Sequence, residues 1–178
     1  MERFFITGLP RSRTAWLSAV FTHPEAGCHC VHEPDLSFDF LSLPRKWANL
    51  VPAGTRFAGI SAPGLHLKAD ELMRWYPDAP WLIVNRHVDE VATSLQALKV
   101  KVTNAELAAG NFRLFKTFRQ AKKALMVDYH TLSDLGVMEA VWHTLCPGVP
   151  FDAERQKAME NIRIVNQKSE ADARRLTL

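Results

Sequence analysis

Short, largely apolar runs alternate with longer stretches of helical spacing about five times along this chain. The runs fall at Arg3–Thr7, Gly27–His32, Arg56–Ser61, Trp81–Asn85 and Ala124–Asp128. They lack regular apolar–polar alternation, so they read as strands buried on both faces. Between them, Arg13–Phe21 places Trp16, Leu17, Val20 and Phe21 on one face of a helix. Helices are also predicted over Leu67–Tyr76, stopping before Pro77, over Val88–Leu98 and over Asn104–Lys122. Another is expected over Asp134–Leu145, with Asp134 as N-cap, and a last one over Phe151–Lys168. Asp35–Leu50 has irregular spacing and reads as helix broken around Pro44. There is no internal repeat and no low-complexity stretch.

This order predicts an α/β fold in three layers, α/β/α, around a central, mainly parallel five-stranded sheet. In such a sheet ligands bind beyond the carboxyl ends of the strands. The residues just after each strand are therefore the ones that carry chemistry.

Composition narrows the picture only modestly. The 178 residues are 47% apolar and 23% charged, which suits one globular domain over residues 1–178. A net charge of +3 is too mild for a nucleic-acid partner but suits a polyanionic small molecule. Three cysteines, Cys28, Cys30 and Cys146, have neither disulfide-framework nor zinc spacing and read as buried, reduced thiols. No run approaches the ~18 apolar residues of a membrane span. No leader is visible, so a cytoplasmic protein with no membrane partner is expected.

The most informative segment follows the first strand: Gly8-Leu9-Pro10-Arg11-Ser12-Arg13-Thr14-Ala15-Trp16-Leu17. Gly8 permits a tight exit, Ser12 and Thr14 offer hydroxyls, and a helix start offers unpaired N–H groups. Arg11 and Arg13 add bidentate cationic donors for phosphate or sulfate oxygens. The pattern fails as a Walker A loop. Counting from Gly8, its Gly, Lys and Ser/Thr positions hold Arg13, Thr14 and Ala15. The Trp81–Asn85 strand also runs into Arg86 and offers no acidic residue for magnesium. A nucleotide kinase is therefore disfavoured.

The loop resembles the 5′-phosphosulfate-binding loop of sulfotransferases that use 3′-phosphoadenosine 5′-phosphosulfate (PAPS), with patterns such as P-[KR]-S-G-T-[TA]-W-L. Here Pro10–Leu17 reads P-R-S-R-T-A-W-L, with Arg13 where Gly is usual, as in a small bacterial or phage-type subset. A second resemblance lies at Arg86–Ser94. The family's 3′-phosphate site has an Arg at a strand end and a Ser eight residues later, and Asp89–Ser94 resembles D-x-V-A-x-S. A third, looser one is Asp128-Tyr129-His130-Thr131-Leu132, where the resemblance places Tyr129 near adenine. The family's fold is P-loop NTPase-like.

The resemblance implies a sulfotransferase that moves a sulfuryl group from PAPS to an acceptor hydroxyl or amine, without a metal. Arg11 would stabilise the bridging oxygen, and Ser12, Arg13, Thr14 and Ala15 would line the 5′-phosphate. Trp16 would either stack on adenine or pack the core. Arg86 and Ser94 would hold the 3′-phosphate, with Arg163 and Lys168 as further basic candidates. The family's catalytic His in a T-H-x-P-like turn is missing, because that turn reads Ile60-Ser61-Ala62-Pro63. Glu33 is the first choice of base and His32 the second, from His32-Glu33-Pro34, with His66 a distant third because a polar surface His is its ordinary explanation. Asp35–Val51, with Phe38, Phe40 and Trp47, and Lys99–Ala109 are the candidate acceptor loops. The competing reading is a non-catalytic nucleotide-binding or interaction module on the same fold.

Overall fold

The computed structural model describes residues 1–34 and 49–162. Five strands form one sheet: β1 (Glu2–Gly8), β2 (Cys28–His32), β3 (Phe57–Ser61), β4 (Trp81–Asn85) and β5 (Ala124–Asp128). Their order is β2-β3-β1-β4-β5, and every pairing is parallel. The expected mainly parallel sheet is thus wholly parallel among the described strands. The order changes direction at β1, which lies between β3 and β4. Chain leaving β1 therefore opens into the crevice where such sheets bind ligands.

Among the described residues, the sheet is covered by the helices α1 (Thr14–Val20), α2 (Ala69–Trp75), α3 (Val88–Ala97), α4 (Asn104–Gln120), α5 (Leu135–Leu145) and α6 (Ala153–Glu160). The two-sided burial read from the strand composition is present in the inner strands, whereas the outer strands β2 and β5 are only partly buried. All of β3 is buried, as are the first four residues of β4. Alternate β1 side chains part to opposite layers. Phe4 and Ile6 join the core with α1 and α5, where Phe21 stacks on Trp142 at 5.2 Å. Phe5 packs toward α2, with its ring 4.8 Å from Trp81. Leu9, Ile83, Val91, Leu107 and Leu114 fasten α3 and α4 to that same side. Each fully buried Phe or Ile here contributes roughly 1.5–3 kcal/mol. Gly59 on β3 leaves room for the Phe4 ring; a Cβ there would meet Phe4 Cε2 at 2.1 Å.

Local signals explain the boundaries. Asp134 accepts a hydrogen bond from Val137 N and starts α5, as expected. Thr103 and Glu106 form a capping box at the start of α4. The helix expected over Leu67–Tyr76 begins earlier, as a 3₁₀ turn at Leu65–Lys68, before α2. The last helix is shorter than expected. It starts at Ala153 after the Asp152 cap and ends at Glu160, where the Asn161 N–H turns back to the Ala158 carbonyl and the Ile162 N–H to the Met159 carbonyl. Asn favours such a helix end over a helix interior. The proposed break around Pro44, the aromatics Phe38, Phe40 and Trp47, and Arg163 and Lys168 lie outside the described residues. All three cysteines are free and buried, with Cys28 Sγ 3.5 Å from Cys146 Sγ. No described helix is long and apolar enough to cross a membrane.

Candidate anion and nucleotide site

The chain leaves β1 through a loop whose backbone is held in unusual conformations. Arg11 has φ 68° and Arg13 has φ 59°, both left-handed. Such backbone favours glycine, which explains why the pattern this loop resembles has Gly at the Arg13 position. Gly8 cannot be enlarged: a Cβ there would lie 2.9 Å from both Ser12 Cβ and Val84 O. The loop therefore folds tightly over the carboxyl ends of β1 and β4.

Ser12 is the centre of this arrangement. It is fully buried, and its Oγ has no hydrogen-bond partner. Burying a hydroxyl unpaired costs about 1–3 kcal/mol, so the position is poised for a ligand oxygen. Nor does Ser12 cap α1. The cap is Arg13, without a side-chain hydrogen bond to the helix. The first-turn N–H groups, Ala15's among them, gain no side-chain acceptor there. An unpartnered hydroxyl, a loop that excludes a methyl group and an uncapped helix start fit a small oxyanion.

Three other strand ends bring functional groups to the loop. After β4, Arg86 donates from Nη1 to the Arg11 carbonyl, and from Nε to Glu90 Oε2 at 3.2 Å. Its guanidinium lies 4.0 Å from the Tyr129 ring centre, after β5. One turn further along α3, Ser94 accepts from Arg11 Nε at 3.2 Å. After β2, His32 Nε2 lies 3.4 Å from Thr14 Oγ1 and 3.8 Å from Glu33 Oε1. Burial lowers the His32 pKa and Glu33 partly opposes this, which favours a neutral imidazole. Glu33 also has positive φ, 40°. Three of the four positive-φ non-glycine residues described, Arg11, Arg13 and Glu33, thus surround this one loop.

The sequence expectations can now be placed one by one. Arg11, Ser12, Arg13, Thr14, Ala15, Arg86, Ser94 and Tyr129 lie around a single loop, with His32 and Glu33 on its β2 side. Of the two roles expected for Trp16, the structure shows core packing. The indole is 5% exposed, donates to Met159 O at 2.9 Å, and has the Arg13 guanidinium 4.7 Å from its ring. His66 departs from the surface role expected. It is 8% exposed, takes Thr7 Oγ1 as a partner, and burial and Arg113 lower its pKa to about 4. The turn that lacks the family's His is structurally occupied, since Ser61 Oγ donates to Thr14 O at 2.8 Å.

Two carboxylates of the site were missed. Glu160 on α6 sits 3.5 Å from Arg13 Nη2 and accepts from Ser133 Oγ at 2.9 Å. Glu90 holds Arg86 and also meets His130 at 2.9 Å, and both partners lower its pKa. Glu90 was legible as the i+4 partner of Arg86. Glu160 reaches Arg13 across 147 positions of chain, and no local signal announces it.

No family model matches the chain, and no curated protein sequence matches it either. Solved structures do. Mouse sulfotransferase SULT7A1, complexed with PAP, superimposes with a TM-score of 0.58 at 13% identity. The match covers 89% of this chain and 62% of the mouse protein, so this chain spans less than two thirds of that relative's length. A sulfotransferase from Alicyclobacillus acidocaldarius gives a TM-score of 0.56 at 17% identity, covering 96% of this chain and 89% of that one. This protein has a sulfotransferase-like α/β fold. At these identities the likeness speaks to the fold and leaves chemistry to the site.

Proposed function

We propose that this protein is a sulfotransferase that takes a sulfuryl group from PAPS and passes it to an acceptor hydroxyl or amine. The observation that carries this reading is the contact of Arg11 with Ser94 beside buried, unpartnered Ser12. Two segments that separately resemble the 5′- and 3′-phosphate motifs, 83 positions apart, meet at one loop. The sulfotransferase-like fold supports the same reading.

PAPS supplies the activated sulfuryl group. Ser12 donates its free hydroxyl to a phosphate oxygen, and Thr14 closes the other side of the cradle. Arg11 stabilises charge on the bridging oxygen as the sulfur–oxygen bond to the 5′-phosphate breaks. Arg86 and Ser94 hold the 3′-phosphate, with the Tyr129 ring beside them. The Glu33–His32 pair takes the acceptor's proton as the new bond to sulfur forms, and adenosine 3′,5′-bisphosphate leaves. Neutral His32 next to the Glu33 carboxylate suits that duty.

Calorimetric titration with adenosine 3′,5′-bisphosphate in EDTA tests the cofactor half. Binding in the micromolar range that is weakened about 10- to 150-fold in Arg86→Ala supports the reading, and no binding by the wild-type protein refutes it. Nucleotide binding without sulfuryl transfer to any acceptor in a broad screen favours the non-catalytic module instead.

A further inference from the structure

Helix α4 has two apolar faces, and the sheet uses only one. Leu107, Leu114 and Thr117 are buried against the sheet side. On the outside, Phe112 is 74% exposed, Phe115 44% and Phe118 37%. Ala105, Ala108 and Ala109 are exposed too, and with Phe112, Phe115, Lys116 and Arg119 they recur at spacings of three and four. That spacing sets residues on one helix face. A cleft of about 280 Å³ opens between Phe112, Phe115, Lys116, Arg119 and Gln120. Exposed Leu67 and Val100 border the clefts on either side of the helix and widen the apolar area. Soluble monomers rarely display such a patch without a partner.

We propose that this face is where two copies of the chain pair, with their α4 helices antiparallel across a two-fold axis near Phe112. Size argues for a second copy. The first half of the outer face is small (Ala105, Ala108, Ala109), and the second half is large (Phe112, Phe115, Lys116, Arg119). Antiparallel packing sets Phe115 of each copy over Ala108 and Ala109 of the other, filling low positions with bulky ones. Charge argues for the same direction. The acidic residue of α4, Glu106, lies in its first turn, and Arg119 lies in its last. Antiparallel copies bring unlike ends together, whereas parallel copies would set cation on cation.

The same charges disfavour an anionic lipid surface as the occupant. Lys116 is already paired with Asp70 at 3.1 Å, and Asp70 and Glu71 share a cleft with it, while Glu106 lies in the first turn of α4. Closed two-fold dimers are also the commonest assembly of soluble chains. The outer face of α4 points away from the sheet, so pairing there leaves the Gly8–Thr14 loop of each copy open. The inference does not depend on the sulfotransferase reading.

Light scattering across a concentration series of the full chain tests it. The expected mass is twice the 20.1 kDa of one chain. Phe112→Glu should halve that mass while leaving the circular dichroism spectrum unchanged, and should remove the concentration dependence of the melting midpoint that a dimer shows. Because Phe112 lies at the axis, Phe112→Cys should form an intermolecular disulfide under mild oxidation. A wild-type monomer at every concentration overturns the proposal. So does a dimer indifferent to Phe112→Glu, or a monomer that sediments with phosphatidylglycerol vesicles through these phenylalanines.

Discussion

The loops leaving β1 and β3 lie side by side at the same edge of the sheet, yet they treat polar groups in opposite ways. After β3, the polar groups named here are engaged. Ser61 donates to Thr14 O, Ala62 N donates to Ile6 O, and His66 N donates to Thr7 Oγ1. After β1, Ser12 Oγ is buried without a partner, α1 starts without a side-chain cap, and two arginines sit in left-handed backbone. One turn holds the edge together. Its neighbour keeps hydrogen-bonding capacity and strain in reserve, as a binding site requires.

The comparison breaks most severely if the β1 loop tolerates bulk. Gly8→Ala should abolish nucleotide binding, because its methyl group would strike Ser12 and the Val84 carbonyl. It should also cost about 1–3 kcal/mol in a urea denaturation series. Retention of wild-type affinity would mean that the loop is not the cradle. Next, Arg86→Ala removes a charge-assisted donor from the site. Calorimetry should register a loss of roughly 1.5–3 kcal/mol in adenosine 3′,5′-bisphosphate binding, about 10- to 150-fold.

The β3 turn should instead reveal itself through stability and pH. Folded His66 titrates at about 4, against the ordinary 6.5 in the unfolded chain. Between those values the unfolded chain binds the proton and the folded one resists it. The His66 contribution is therefore intact above pH 6.5 and is lost as pH falls toward 4. The protein should be about 2 kcal/mol less stable at pH 5 than at pH 7 on this account. His66→Phe should flatten that slope in paired denaturation curves; an unchanged slope would remove His66 from the explanation. The smallest effect is expected at Glu160→Gln. Its partly exposed pair with Arg13 at 3.5 Å should shift stability by less than about 1 kcal/mol. The variant should slightly tighten nucleotide binding by freeing Arg13, so weakened binding in the same titration would count against Arg13 as an anion donor.

Much of this was legible from residues alone. The Trp81–Asn85 and Ala124–Asp128 strands stand where their apolar runs begin and end, and for Trp81–Val84 burial on both faces is what makes that run continuous. The Asp134 cap was visible because capping is a local event between a side chain and an N–H three residues on. The residues of the β1 loop were legible for a similar reason: Gly8, Arg11, Ser12 and Arg13 lie close together in the chain, and their types suit an anion.

Other features became visible only once the chain had folded. His66 reads as surface polar by type, but the 3₁₀ turn at Leu65–Lys68 carries it against Thr7 and Gly110. Trp16 reads equally as stacking platform or core, and only the fold shows its indole packed in the core and donating to the Met159 carbonyl.

The sequence by itself determined the succession of strands and helices, the tight exit at Gly8 and the cationic, hydroxyl-bearing character of the loop that follows it. These follow from backbone sterics, hydrophobic period and charge, which act within a few residues. Tertiary structure alone decided that Ser94 and Arg86 meet Arg11, that Glu160 meets Arg13, and that among the described residues α4 keeps a second apolar face exposed. Those outcomes depend on strand order and helix placement, which bring together groups far apart in the chain.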